Sequence, residues 1–366
     1  PPGRKAAKMA TAHVSMQLAV NEHLGAGTSG SVRSVAGCLD DQLYAIKTVQ
    51  CADGLSSEQQ AEVKLHSSVP PCESVVRYHF AWFDETSSEL QILMERMDCE
   101  LWDAIEDESA TVNEQERIEW AQDLLRAVAW LHKHGVAHRD ISPWNCFVAT
   151  NKQCPDGQQR RQLKLGDFGL ACHVPLSSGE RTLMRGMHAD GFAPLDESAI
   201  GSFYSAPELG SEDGYDAKEV DIFSAGMTLF AIWYGVVAVR QAGRSGVEPT
   251  CATSEERACG QVAEALIDAG SESLTACIEK LKQEALMPHS WSNASRSLSN
   301  LIQRMVSHEA QSRPTAAECF KLFNQATSSM HRTRTPAECN ASAPPRTEDT
   351  PESESVEVYG CFSRIS

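Results

Sequence analysis

The sequence is defined first by what it lacks. No window approaches the eighteen or so consecutive apolar residues of a membrane span, so neither a membrane protein nor a membrane partner is expected. Its opening residues, PPGRKAAKMA, have no apolar run of the secretory kind, and without an initial methionine the chain reads as a fragment or a processed product. Thirteen cysteines are present with no CxxC pair, and the histidines show no ligand spacing. Reduced thiols in an intracellular protein of the cytoplasm or nucleus are therefore expected, not a disulfide framework. Basic residues are scarce, 32 Lys and Arg against 50 Asp and Glu, for a formal net charge of −18. That balance excludes a nucleic-acid partner, which needs clustered cations.

What is present suffices for a large core: 366 residues, 42% of them apolar, room for two domains or for one with two lobes. Residues 1–16 form a flank. From 17 to 97, short β-type runs broken by glycine surround one helix, whose start the Ser57/Gln60 spacing places near 57 as a capping box and whose end precedes Pro70-Pro71. VVRYHFAWF and ELQILMERM complete a small sheet. Past Met97 the period changes, with Ile118, Ala121, Leu124, Leu125, Val128 and Leu131 at helical spacing ahead of Gly135, a residue suited to a left-handed helix cap. VDIFSAGMTLFAIWYG, apolar on nearly every face, reads as a helix buried in a large lobe. The fold class expected is α+β, a β-rich lobe over 17–97 and a mostly helical one over 98–326. Residues 327–366 form an acidic Ser/Thr/Pro-rich tail that cannot bury enough to order itself.

Chemistry concentrates in four places. Gly25, Gly27 and Gly30, with Val32 after them, form a glycine-rich hairpin between strands, suited to laying backbone amides over phosphates. Lys47, in YAIK, follows on a strand, and Glu62 lies on the helix fifteen residues later; a lysine pointing into an apolar cleft needs such a carboxylate, and an ion pair bridging the lobes is expected. His138-Arg139-Asp140, with Asn145 five residues after the aspartate, is followed by Asp167-Phe168-Gly169. Asp167 and Asn145 offer the few oxygen ligands that magnesium takes beside substrate phosphates. Ala206-Pro207-Glu208, Asp221 and Arg313 complete the series, Arg313 being placed to pair with Glu208.

In this order and register the motifs resemble the eukaryotic protein kinase superfamily across about 18 to 326. The resemblance implies a two-lobed fold using ATP and Mg2+, with Asp140 accepting the proton of a protein hydroxyl, most often serine or threonine. It implies Met94 as gatekeeper, Glu95 to Met97 as the hinge, Val32, Ala45 and Phe147 around the adenine, and Asp98 or Glu100 at the ribose. Glu62-Val63, His66, Val75-Val76-Arg77-Tyr78, Ala81-Trp82 and Asp221-Ile222-Phe223 are similar to the Wee-type branch, which implies a cyclin-dependent kinase as substrate and a cell-cycle role.

Two departures stand out. Ser142 occupies the position where a serine/threonine kinase usually has a lysine that neutralises charge on the transferred group. Because Asp140, Asn145, Asp167 and Lys47 are all present, an active enzyme is expected, with a nucleotide-binding pseudokinase scaffold as the alternative. The long span between Asp167 and Glu208 holds Ser177, Ser178, Thr182, Ser198 and Ser202 as possible phosphosites, beside Asp196 and Glu197, and Arg139 is of the type that captures a phosphate there.

Overall fold

The computed structural model describes residues 17–27, 30–37, 40, 42–106, 112–151, 160–176, 183–184, 204–210, 213–234, 296–331 and 355–357. The chain divides into two compact units, one of residues 1–68, 77–96 and 342–366, the other of 69–76 and 97–341. The expected α+β arrangement holds, strands dominating the first and helices the second. The boundary falls between Arg96 and Met97, within the predicted hinge, and 69–76 joins the helical unit although it precedes two strands of the sheet.

In the smaller unit, β1 (Gln17–Gly27), β2 (Gly30–Gly37), β3 (Leu43–Gln50), α1 (Ser57–Ser68), β4 (Tyr78–Asp84) and β5 (Glu89–Glu95) follow in order. The antiparallel sheet runs β1-β2-β3-β5-β4. One face buries Val35, Ile46, Trp82 and Leu93 together. On the other, Val63 of α1 packs with Cys51, Ala81, Leu90 and Ile92, which fixes the helix against the sheet. The capping box sits one residue earlier than expected: Gln59 N donates to Ser56 Oγ at 3.2 Å, and Ser56 N donates to Gln59 Oε1 at 2.9 Å. SSEQQ contains two overlapping matches to the motif, and the structure uses the first.

The larger unit is threaded by α3 (Glu114–Lys133), reached through short strand β6 (Cys99–Glu100) and helix α2 (Leu101–Glu106). All six residues of the predicted apolar stripe on α3 are buried. Its start is closed by a reciprocal Asn113/Glu116 box, and Gly135 after it has φ 72°, the left-handed conformation expected. Strands β7 (Val136–Ala137), β8 (Cys146–Asn151), β9 (Arg160–Leu165) and β10 (Cys172–His173) carry the chain past the predicted motifs. Beyond them come β11 (Leu183–Met184), β12 (Tyr215–Asp216), α4 (Ala217–Tyr234), α5 (Arg296–Met305) and α6 (Ala316–His331). From Val220 to Trp233 every residue of α4 is buried, as its all-round apolarity requires.

The tail departs from expectation. Helix α6 runs through the boundary placed at 326 and ends at His331, and β13 (Ser355–Glu357) pairs antiparallel with β1 of the smaller unit. Thr327, inside the segment expected to be solvated, is buried and donates to Phe323 O at 3.0 Å. The five candidate phosphosites, with Asp196 and Glu197, lie outside the described residues. Among the described residues no helix is long and apolar enough to cross a membrane.

Candidate functional site

The two units each carry part of the predicted set. In the sheet, Val32 stands opposite Lys47, and Ala45 opposite Met94. Gly25 pairs with Val32, and Gly27 with Gly30. Directly opposed residues of an antiparallel pair share a face and the face repeats every second residue. Gly25, Gly27, Gly30, Val32, Ala45, Lys47 and Met94 therefore line one face, which bears no side chain at its glycine end. Thr28 and Ser29, at the tip of the hairpin, are outside the described residues. Gly30 has a reason of its own: φ is 130°, and a Cβ there would meet the Thr48 carbonyl oxygen at 2.3 Å.

Lys47 Nζ donates to Glu62 Oε1 at 2.8 Å, with 6% and 14% of the two side chains exposed. Both residues belong to the smaller unit, so the expected pair exists but does not bridge the lobes. The helix that carries Glu62 packs on the same face of the sheet as Lys47, which leaves one short route for the carboxylate. His66, from the same helix, is buried with its ring tilted on Tyr78 at 5.5 Å between centroids.

In the larger unit the ladder between β8 and β9 pairs Cys146 with Leu165, which sets the ends of both predicted motifs side by side. Gly166 N donates to Asn145 O at 2.9 Å. Asn145 Nδ2 donates to Asp140 Oδ2 at 2.7 Å and to its carbonyl at 2.8 Å. Burial pushes the Asp140 carboxyl above the ordinary aspartate value; His138 and the Asn145 hydrogen bond pull it down, while the charges of Asp167 and Asp221 add to the rise.

Backbone strain marks the same place. Arg139 and Asp167 have φ of 63° and 58°, left-handed conformations that non-glycine residues seldom adopt. The first is imposed by Asp221, wholly buried at the start of α4, whose two oxygens accept from Arg139 N at 2.6 Å and His138 N at 2.8 Å. His132 Nε2 also lies 2.8 Å from Asp221 Oδ2. His138 is buried, 3.0 Å from Gly166 O through Nε2 and tilted on Phe168 at 5.1 Å. Arg139 is buried, donating from Nε to Leu170 O at 2.6 Å and from Nη1 to the Tyr215 hydroxyl at 3.2 Å, while the candidate phosphosites it was expected to serve lie outside the described residues. Its guanidinium ties the loop of His138 to Asn145 to the Leu170 carbonyl and the Tyr215 hydroxyl.

The remaining predicted residues are placed as follows. Glu95 N donates to Arg77 O, and Met97 is buried. Asp98 Oδ2 accepts from Thr150 N at 2.7 Å, whereas Glu100 is half-buried, its carboxyl raised by burial and then by Asp103. Of the two ribose candidates, Asp98 thus already serves the β8 backbone. Phe147 lies on β8, its ring edge 3.1 Å from where a Cβ on Gly166 would stand. Arg313 donates to Glu208 through both Nη1 and Nη2, the second at 2.9 Å, as its motif position implied.

Among the described residues no three His, Cys, Asp or Glu side chains are grouped to hold a metal. Asp167 and Asn145 are hard oxygen donors of the kind magnesium accepts when phosphates complete its shell, and because Asn145 spends its NH2 on Asp140 its amide oxygen is left for that role. A cavity of about 760 Å³ in the larger unit, with Glu119, Asp123, Arg126 and Arg161 in its lining, includes none of these residues. What sequence reading missed was the aromatic support of the loop: Trp144 stacks on Trp102 at 4.7 Å and 11° and meets Tyr204 edge-on at 5.6 Å.

A model of the protein kinase domain matches residues 18–322, and the chain belongs to that family. It is 30% identical over 57% of its length to the membrane-associated tyrosine- and threonine-specific cdc2-inhibitory kinase wee-1.3 of Caenorhabditis elegans, of which 27% is covered. It is 25% identical over 57% to the human MAPK/MAK/MRK overlapping kinase, covering 44% of that protein. With the Wee1-like protein kinase of Arabidopsis thaliana it shares 28% identity over 58%, covering 37% of the relative. The matched region thus spans less than half of each of these three proteins.

Proposed function

We propose that this chain transfers the γ-phosphoryl group of ATP to a protein hydroxyl, serine or threonine in preference to tyrosine. The observation that carries the reading is Asp140, clasped by Asn145 at 2.7 Å on a loop fixed by Asp221, with its basicity raised above that of an ordinary aspartate. A carboxylate in that state orients a substrate hydroxyl and accepts its proton as the phosphoryl leaves. Lys47, oriented by Glu62, anchors the α and β phosphates under the glycine hairpin of Gly25, Gly27 and Gly30. Asp167 and the Asn145 amide oxygen would hold magnesium, which would supply neutralisation of phosphate charge. By the family pattern we assign Val32, Ala45, Met94 and Glu95 of the smaller unit and Met97 and Phe147 of the larger to the adenine, and Glu100 to the ribose.

Incubation with labelled ATP and magnesium against an arrayed peptide library, with Asp140→Asn beside it, tests the reading. Labelled peptides from the wild type and none from the variant support it. Stabilisation by ATP with no labelled peptide points to the scaffold alternative.

A narrower reading takes a cyclin-dependent kinase as substrate, favoured by the similarity to a kinase named for cdc2 inhibition and by the buried His66. Its test is the glycine-loop peptide of such a kinase. Purified protein that ignores this peptide while modifying unrelated serine peptides sinks the narrower reading and leaves the broader one standing.

A further inference from the structure

The cavity of about 760 Å³ in the larger unit shares no residue with the proposed transfer site and is lined from α3, β9, α6 and Glu73. Four cations border it, Arg126 on α3 and Arg160, Arg161 and Lys164 on β9, although the chain as a whole carries a formal charge of −18. Two of the four are held in place with donors to spare. Arg161 donates from Nε to Glu116 Oε1 at 2.9 Å while its guanidinium lies 4.9 Å above the Trp120 ring. Arg126 donates from Nη1 to Asp123 Oδ1 at 2.6 Å and to Ser74 Oγ at 3.1 Å, and lies 5.9 Å from the Phe320 ring centre. Among the described residues, Arg161 Nη1 and Nη2 and Arg126 Nε and Nη2 make no hydrogen bond, and 25% and 35% of the two side chains are exposed. A strut spends such donors on protein, as Arg313 does on Glu208, Ser307 and Glu219. Guanidiniums fixed over rings with donors in reserve are preorganised for acidic oxygens, with little side-chain freedom left to lose.

The other groups in the lining narrow the ligand. Asp123 is committed, Oδ1 to Arg126 and Ser74 and Oδ2 to Leu163 N. Glu119 accepts from Gln115 Nε2 at 2.8 Å, and Glu73 is exposed, so these two carboxylates oppose an incoming anion everywhere except beside the arginines. Gln115, Gln122 and Gln162 each spend their NH2 on a neighbour, Glu119, Asn324 and the Glu73 carbonyl, which leaves amide oxygens as acceptors. A polyphosphate has no N–H for them, whereas a peptide main chain does. Spacing agrees: Glu116 and Asp123, which hold the two arginines, are seven residues apart on α3, about 10 Å along the helix. An extended chain rising about 3.3 Å per residue brings two acidic side chains to both arginines when they are about three residues apart.

We propose that this groove binds an extended acidic segment of a partner protein, two of its carboxylates meeting Arg126 and Arg161.

The experiment titrates the whole chain into fluorescein-labelled peptides in which two glutamates are separated by one, two or three serine or glycine residues, and into the same peptides with glutamine, followed by anisotropy. At the best spacing the glutamate peptide is expected to bind about tenfold or more tighter than its glutamine counterpart, by a margin that shrinks with added salt. Arg161→Gln should remove most of that margin. Glu119→Gln should widen it about two- to threefold, a gain that loss of a structural contact does not produce. Equal binding of glutamate and glutamine peptides at every spacing overturns the proposal. So does a preference that Arg161→Gln leaves unchanged, because the peptide then sits elsewhere. If pyrophosphate binds with the same dependence on Arg161 and no peptide does, the groove takes a small anion and the acidic segment is wrong. Should Arg161→Gln fail to fold, Glu119→Gln decides alone, and no tightening in it overturns the groove. The readout needs no turnover, so it stands or falls apart from the phosphotransfer reading.

Discussion

Two ion pairs, one in each unit, use the same chemistry to different ends. Lys47 and Glu62 join a strand to helix α1 of the smaller unit, Nζ meeting Oε1 at 2.8 Å. Arg313 and Glu208 meet through two parallel hydrogen bonds, and Arg313 also donates to Ser307 O at 2.8 Å and to Glu219 O at 2.9 Å while its guanidinium lies 5.0 Å above the Phe223 ring. A planar fork consumed on several sides at once is a clamp, holding the segment after Ala206-Pro207 to α4 and to the turn before α6. A point-charge ammonium on a flexible stem, oriented by one carboxylate, suits a group that must also meet a ligand. The shape of the cation, not burial, separates them, since Lys47 at 5% exposed and Arg313 at 7% are almost equally buried.

The largest expected effect tests the first half of that contrast. Lys47→Met and Asp167→Asn should each lower phosphotransfer about a thousandfold or more, equal to ~4 kcal/mol of transition-state stabilisation, with little change in melting temperature. Near-normal turnover in either variant would remove it from the site. Arg313→Ala should do the reverse. Stranding Glu208 and emptying the place above Phe223 costs about 3 kcal/mol or more of stability, a fall in melting temperature of roughly 6–12 °C. Turnover per folded molecule should stay within about twofold. If this variant instead melts with the wild type and loses turnover, the clamp is part of the catalytic machinery and the contrast collapses.

How far this was legible in the sequence follows from the same distinction. Residues fixed by spacing were found, because Asp140 to Asn145 and Asp167 to Gly169 are local patterns, and the apolar stripe of α3 is a period. Lys47 and Glu62 were paired correctly; both lie within 17–97, already read as one lobe, so the bridge between lobes was at odds with those bounds, and the structure keeps the bounds for this pair. Arg139 was given a phosphate-capturing role from residue type, and the structure adds what type does not show, its burial and its bonds to Leu170 O and the Tyr215 hydroxyl, while the loop it was to serve lies outside the described residues. The packing of Trp144 on Trp102 and Tyr204 escaped notice because the three are separated in sequence and meet only in three dimensions. The register of α1 slipped by one since SSEQQ offers two equivalent boxes. The tail was taken as solvated from composition, yet α6 continues to His331 because Phe323 and Thr327 are buried on one side of it.

A third expectation concerns charge within the catalytic loop. Asp140 must be ionised to accept a proton, and burial has raised its carboxyl, so the acid limb of kcat/KM should lie above the ordinary aspartate value of 3.8. Activity is retained above that limb and is lost as pH falls through it, about tenfold per pH unit once Asp140 is mostly protonated. A profile recorded while circular dichroism reports the folded state, with its limb at or below the ordinary value, would show that Asp140 is better solvated than its surroundings here require.

The smallest effect is expected at Ser142, where a charge is absent. Ser142 is buried, and its carbonyl accepts from Asn145 N and Cys146 N, each at 3.1 Å, so the turn that presents Asn145 depends on its backbone and not on its side chain. On the proposed reading, lysine in this place adds a point charge where Asp140, Asn145, Asp167 and Lys47 already supply the proton acceptor, the metal ligands and the phosphate anchor. Ser142→Lys should therefore raise single-turnover rate modestly, about tenfold or less, equal to ~1.4 kcal/mol. A gain of about a thousandfold would mean that the native loop lacks one essential charge and that its competence has been overestimated. A loss of both rate and melting temperature would mean that the ammonium finds no room beside the Trp102 and Trp144 stack, and that the serine is held by packing. In that case the contrast between the ion pairs extends to this position as well: a site for chemistry must leave a side chain a place to go, and a site for structure need not.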